Sequence, residues 1–308
     1  MTTTELGARE LKPPDVRIRG LVKRYGESLA VRKVDLDIYP GEIFALLGPN
    51  GAGKTTTIEM LEGYRRRDGG ELRVLGEDPG TAGRAWRSRI GIVPQTSRES
   101  PELTIEEVVR HFARYYPSPR DPAEVIAAVG LAEKRTARPR SLSGGQRRRL
   151  DVALGIIGSP QVLFLDEPTT GFDPQARHSF WELIRQLRSD GTTILLTTHY
   201  LDEAEHLADR VGVIADGELI AVDTPARLGG RAAREARVLW TDGETPREQL
   251  TPSPTHLVSD LAKQFDGEIP GLQVLRPTLE DVYLSMIKGN QNDPASAANP
   301  ILTNGGPR

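Results

Sequence analysis

Apolar and polar residues alternate along Val16–Tyr25 and again along residues 30–38, on either side of Gly26-Glu27-Ser28. That period of two predicts an antiparallel hairpin. Ile43–Leu47 (IFALL) is continuously apolar and runs into a glycine-rich loop, after which residues 55–61 have helical character. Further apolar runs end at Val93, Leu165 and Leu196, with helical stretches between them. Strands alternating with helices predict an α/β fold whose mainly parallel sheet is covered on both faces. From residue 101 to 158 the pattern turns helical. Thr104-Ile105-Glu106-Glu107 reads as a capping box that opens a helix with Ile105, Val108, Phe112 and Tyr115 on one stripe. Residues 121–130 and 145–157 read as two more helices. After Thr224-Pro225 the composition changes: 240–254 is turn-rich, and 274–288 closes a small α+β appendage whose last helix opens at Thr278. Residues 1–14 are expected to be a flexible N-terminus. The segment 289–308, rich in Asn, Pro, Gly and Ala, is expected to be a disordered tail.

Composition narrows the function classes. The 308 residues include no Cys, so there is no disulfide framework, no thiolate metal site and no cysteine nucleophile. No apolar run approaches the ~20 residues of a membrane helix, and the first residues lack the apolar stretch of a secretory signal. The expected location is therefore the cytoplasmic side. A net charge of -3 argues against a dedicated nucleic-acid binder. The short basic runs Arg65-Arg66-Arg67 and Arg147-Arg148-Arg149 are expected to be solvated faces. Against 33 Arg there are only 7 Lys, so a lysine in an unusual context is less easily read as filler.

One lysine stands in such a context. Gly48-Pro49-Asn50-Gly51-Ala52-Gly53-Lys54-Thr55, followed by Thr56, matches G-x-x-x-x-G-K-[ST] between a predicted strand and a predicted helix. Glycines let backbone N–H groups turn inward around phosphate oxygens, and the helix N-terminus adds its positive dipole end. Lys54 would reach the β- and γ-phosphates of ATP, and the Thr55 hydroxyl would ligate Mg²⁺. Downstream, Val162-Leu-Phe-Leu-Asp166-Glu167 is an apolar strand ending in two acids. Asp166 can complete the Mg²⁺ shell, and Glu167 is placed to polarise a water. Leu142-Ser143-Gly144-Gly145-Gln146 opens a helix. Ser143 and Gln146 fit a capping box, which leaves the two consecutive glycines unexplained. Bare amides beside a helix N-terminus suit a second phosphate, from another nucleotide or another subunit.

LSGGQ at 142–146 resembles the signature of ATP-binding cassette (ABC) proteins, and the remaining motifs of that family stand in order over residues 15–228. Tyr25 resembles the aromatic that stacks on adenine. Gln95 after Ile92-Val93-Pro94 resembles the Q-loop glutamine, Asp173 in Gly171-Phe172-Asp173-Pro174 the D-loop aspartate, and His199 in Thr197-Thr198-His199-Tyr200 the switch histidine. Spacings of 41 residues from Lys54 to Gln95, 20 from Gln146 to Asp166 and 32 from Glu167 to His199 agree with it. Phe172, where the family most often has Leu, is the one departure. The resemblance implies a P-loop NTPase cassette: a RecA-like core, an antiparallel β subdomain and an inserted helical subdomain over about 96–158. It assigns catalysis to Lys54, Gln95, Glu167 and His199, and nucleotide contacts to Tyr25, residues 48–56, Ser143, Gly144, Gly145, Gln146 and Asp173. The metal falls to Thr55, Gln95 and Asp166. It further implies a head-to-tail dimer of cassettes bound to a separate membrane permease, at the cytoplasmic face. Residues 275–283 (LRPTLEDVY), within an accessory domain at 229–288, resemble the ending of exporter ATP-binding subunits of the daunorubicin-resistance type. An importer subunit and a soluble, non-transport ABC ATPase are the alternatives.

Overall fold

The computed structural model describes residues 12–95, 102–265 and 267–291. The two tails expected at 1–14 and 289–308 fall for the most part outside them, as does the start of the inserted helices at 96–101. The chain divides into two compact units, with the boundary between Leu219 and Ile220.

In the first unit β1 (Val16–Tyr25) and β2 (Ser28–Ile38) form the expected hairpin, with Val16 opposite Ile38. The turn is the two residues Gly26-Glu27, and Gly26 at φ 57° supplies the left-handed conformation such a turn needs. The following elements are β3 (Ile43–Leu47), α1 (Lys54–Leu61) and β4 (Gly69–Val74), then the short α2 (Arg84–Arg87) and β5 (Ile90–Val93). β4 joins the hairpin as an antiparallel sheet of order β2-β1-β4. Next come α3 (Ile105–Ala113), α4 (Pro122–Ala128), α5 (Gly144–Ile156), β6 (Val162–Asp166), α6 (Pro174–Ser189), β7 (Thr193–Thr198), α7 (Leu201–Leu207) and β8 (Arg210–Ala215). β9 (Glu218–Asp223), within which the boundary between the units falls, is the last strand of a sheet of order β5-β6-β7-β3-β8-β9, whose β5, β6, β7, β3 and β8 run parallel. β3, β6 and β7 are buried at every position, which is why they read as unbroken apolar runs.

Register positions the site. Leu47 pairs with Thr198, and Asp166 pairs with Thr197. The chain therefore leaves β3, β6 and β7 at one level, at the carboxyl edge where α/β sheets bind ligands.

The inserted helices differ from expectation in one respect. Thr104 and Glu107 do form the capping box, but the inward stripe is Ile105, Val108, Val109 and Ala113. Phe112 is only half-buried, and Tyr115 is 65% exposed because α3 ends at Ala113, before the stripe reaches it.

In the second unit the stretch expected as turns is a hairpin of β10 (Ala236–Asp242) and β11 (Thr245–Thr251). β11 is solvent-exposed along almost its whole length and held by backbone pairing, so it carries no alternating pattern. α8 (Pro254–Gln264), β12 (Gln273–Leu275) and α9 (Leu279–Gln291) follow. Val238, Leu261 and Ile269 form the small core, and Thr278 and Asp281 cap α9 reciprocally.

Candidate functional site

Gly48 follows β3 and passes close beneath β8: a Cβ there would stand 2.3 Å from the Ile214 carbonyl oxygen. A Cβ on Gly53, at φ 101°, would stand 2.4 Å from the Ala30 carbonyl oxygen. Neither place admits a side chain, so the loop holds its curve only with glycine. Pro49, Asn50 and Gly51 are exposed while Ala52 and Gly53 are buried. α1 begins at Lys54 with no side-chain cap and no acid in its first turn. Its first N–H groups and the positive end of its dipole therefore face the loop, an anion-binding arrangement.

Lys54 is 5% exposed, and its Nζ donates to the Gly48 carbonyl at 2.8 Å and the Pro49 carbonyl at 3.2 Å. The same ammonium stands 3.5 Å from Glu167 Oε1. Glu167 Oε2 lies 3.3 Å from His199 Nδ1 and 3.5 Å from Gln95 Nε2. Lys54, His199 and Gln95 thus meet on the carboxylate of Glu167, and all four residues were singled out by sequence. Asp166 behaves differently. It is 4% exposed, and its Oδ1 accepts a hydrogen bond from the Thr197 hydroxyl.

The remaining candidates do not join this cluster. Ser143 and Gln146 bond to each other as a capping box at the start of α5, and Ser143 and Gly144 are exposed. Asp173 caps α6 by accepting from Ala176 N at 2.8 Å. Phe172 is buried edge-on against Phe180, at 5.7 Å between ring centroids. Tyr25, 43% exposed, has the Arg65 guanidinium 5.2 Å and the Lys23 ammonium 5.5 Å from its ring centroid.

The donor set fits Mg²⁺. With Gln95 Nε2 turned toward Glu167, its amide oxygen is left for a metal, and Asp166 has a second carboxylate oxygen beyond the one bonded to Thr197. Thr55, exposed in the first turn of α1, supplies a hydroxyl. All three are hard oxygen donors, and Mg²⁺ takes few protein ligands beside substrate phosphates. Among the described residues no group of three or more His, Cys, Asp or Glu could hold a metal.

Two residues went unnoticed in the sequence. The Thr197 hydroxyl also accepts from Glu167 N at 3.0 Å, so it braces both acids. Arg148, expected in a solvated run, is 7% exposed, and its guanidinium donates to the carbonyls of Pro94, Asp166 and Pro168. Its spacing of four from Val152 and of eight from Ile156, both fully buried, was the available signal. The other run is also engaged in part: Arg65 pairs with Glu59 and Arg67 with Asp78. Glu62, just past α1, has its carboxyl pushed up to about 8 by burial and by the nearby carboxylates of Asp166 and Glu59.

Residues 31–170 match the family model of the ABC transporter. A Nod factor export ATP-binding protein I of Ralstonia nicotianae is 41% identical, covering 91% of this chain and 96% of that protein. Its namesake in Burkholderia orbicola is 43% identical over 90% of this chain and 98% of its own length. Among solved structures, an ATP-binding subunit of an ABC transporter superposes with a TM-score of 0.66 at 23% identity, over 88% of this chain and 98% of that one. A dimeric ATP-binding cassette bound to ADP and Pi superposes with a TM-score of 0.62 at 24% identity, over 68% of this chain and 98% of that one. These likenesses confirm the P-loop cassette fold expected from the motif order. With full-length relatives above 40% identity, the chain belongs to the ABC transporter family, as one of its ATP-binding ATPase subunits.

Proposed function

We propose that this chain hydrolyses ATP to drive export of a small drug-like or lipid-like molecule through a separate membrane permease. Its cassette would comprise residues 15–228 and its accessory domain residues 229–288. The observation that carries the chemistry is the Glu167 carboxylate held among Lys54, Gln95 and His199. The exporter direction is supported by the names of the relatives and by the resemblance of residues 275–283 to the ending of daunorubicin-type subunits.

In this reading the bare first turn of α1 and the Lys54 ammonium bind the β- and γ-phosphates, and Tyr25 stacks on the base. Thr55, Asp166 and Gln95 would hold Mg²⁺, which when bound neutralises charge on the phosphate oxygens. Glu167 accepts a hydrogen bond from the attacking water and draws its proton away from the γ-phosphate. His199, against Glu167 Oε2, orients that carboxylate and contacts the γ-phosphate. Ser143 and Gly144, both exposed, with the half-buried Gly145 behind them, would face the nucleotide of a second cassette, and Asp173 would join the same dimer contact. The dimer and the placement at the cytoplasmic face of the membrane are parts of this proposal.

Glu167→Gln tests it. ATP binding is expected to be retained while hydrolysis falls by at least about 10²-fold; turnover at the wild-type rate would overturn the assignment. Capture of the tagged chain from detergent-solubilised membranes of its own cells is expected to recover a polytopic permease. Recovery of ribosomal or DNA-associated proteins alone would overturn the transport role.

A further inference from the structure

Arg148 sits two residues after Gln146, inside α5, and is 7% exposed. An arginine cannot shed its charge, so its burial must be matched by hydrogen bonds. Each guanidinium nitrogen donates to a backbone carbonyl: Nε to Pro168 at 3.1 Å, Nη2 to Asp166 at 2.6 Å, and Nη1 to Pro94. Asp151, one turn along the helix, stands 3.9 Å from Nη1.

The three acceptors share one property. Asp166 and Pro168 are the residues on either side of Glu167, and Pro94 immediately precedes Gln95. Glu167 itself has φ 46°, a left-handed conformation that non-glycine residues avoid and that surrounding structure must impose. Two anchors impose it: Thr197 holds the Glu167 N–H, and Arg148 holds the carbonyls before and after it.

We propose that Arg148 is a positioning residue for hydrolysis, fixing the backbone on both sides of Glu167 and ahead of Gln95 so that the Glu167 carboxylate stays aimed at the attacking water. It rests on the assignment of Glu167 made above. The same arginine belongs to the helix that begins with Gly144-Gly145, and α5 is one unbroken helix from Gly144 to Ile156.

The test uses the full chain with Arg148→Lys, Arg148→Met, Glu167→Gln and the double variant Arg148→Lys/Glu167→Gln. Lysine keeps the charge but not the planar fork that reaches three carbonyls at once. ATP affinity, which needs a folded Lys54 loop, is measured beside steady-state hydrolysis as a check on folding. If Arg148 positions Glu167, Arg148→Lys lowers kcat by about 30- to 100-fold, the cost of misplacing a reacting group by about 1 Å, while KM for ATP changes less than about twofold. In the Glu167→Gln background the same change is expected to cost less than about twofold more, because the group it positions is already gone. Losses that multiply in the double variant, a KM that rises in step with the fall in kcat, or an unchanged kcat would each overturn the proposal. Wild-type turnover in Glu167→Gln alone would instead remove the assignment of Glu167, and the role of Arg148 with it.

Discussion

Replacing Thr197 with valine removes one oxygen and leaves the shape nearly intact. Thr197 is fully buried, and its hydroxyl is shared between the Asp166 carboxylate and the Glu167 N–H. Asp166 is 4% exposed, so no solvent replaces the lost donor. A hydrogen bond to a charged group contributes about 1.5–3 kcal/mol. The Glu167 N–H loses less, because the Thr197 carbonyl still accepts from it at 3.2 Å. The combined cost is about 2–3 kcal/mol, which for a unit of this size lowers Tm by roughly 5–10 °C. Hydrolysis should fall as well, by about tenfold, since Asp166 and Glu167, the carboxylates proposed for the metal and for catalysis, lose a common brace. Thermal unfolding and steady-state ATPase rates of Thr197→Val and Thr197→Ser together make the assay. The serine variant keeps the hydroxyl and is expected to recover most of the turnover. A Tm within about 1 °C of wild type with unchanged turnover in Thr197→Val would refute the argument, since the hydroxyl would then be doing nothing for either acid.

Lys54→Ala removes the ammonium that bonds to the loop carbonyls of Gly48 and Pro49, and ATP affinity is expected to fall at least about tenfold; normal affinity by titration would count against the phosphate-binding assignment. Glu62 supplies a pH prediction. Its folded-state value is raised from 4.5 to about 8, so below pH 4.5 the carboxyl is neutral in both states and contributes no difference. As pH climbs toward 8 the unfolded chain ionises while the folded one holds its proton, and stability falls by at most ~1.4 kcal/mol per pH unit. Glu62→Gln should therefore be more stable than wild type at pH 8, with the gap closing by pH 5. Urea unfolding at three pH values reads it, and a gap independent of pH would refute it.

What the sequence made legible follows from how each signal is encoded. β3, β6 and β7 are buried on both faces, so their apolar runs are visible without any partner; Lys54 stands out by the glycine-rich motif after β3, Asp166 and Glu167 by ending the β6 run, and His199 only by the resemblance of its motif. The cap of α5 was equally plain in Ser143 and Gln146, whose reciprocal bonds are local. β11 was not legible, because a strand held by backbone pairing and washed by solvent on its side chains leaves no period. Arg148 was hidden for the opposite reason. Its neighbours Arg147 and Arg149 are half-buried, and only the helical phase separates the buried member of the run from the other two. Its partners are carbonyls, which every residue carries, so no residue type elsewhere in the chain betrayed them.

The Lys54–Glu167 pair shows why binding and catalysis cannot be treated as separate properties of this site. At 3.5 Å and an effective dielectric constant near 20 the gross attraction is about 4–5 kcal/mol. Much of it is offset by desolvation, with the two side chains 5% and 12% exposed. A pair so balanced is displaced by a stronger competitor, and a triphosphate carries more negative charge toward the ammonium than one carboxylate does. In the proposed mechanism Glu167 would then part from its cation but keep its aim, because Thr197, Arg148, His199 and Gln95 hold it from other directions. It follows that Glu167→Gln should bind ATP at least as tightly as wild type, since Lys54 no longer has an internal anion to give up. Weaker binding in that variant would mean the pair supports the phosphate loop and does not compete with the phosphate.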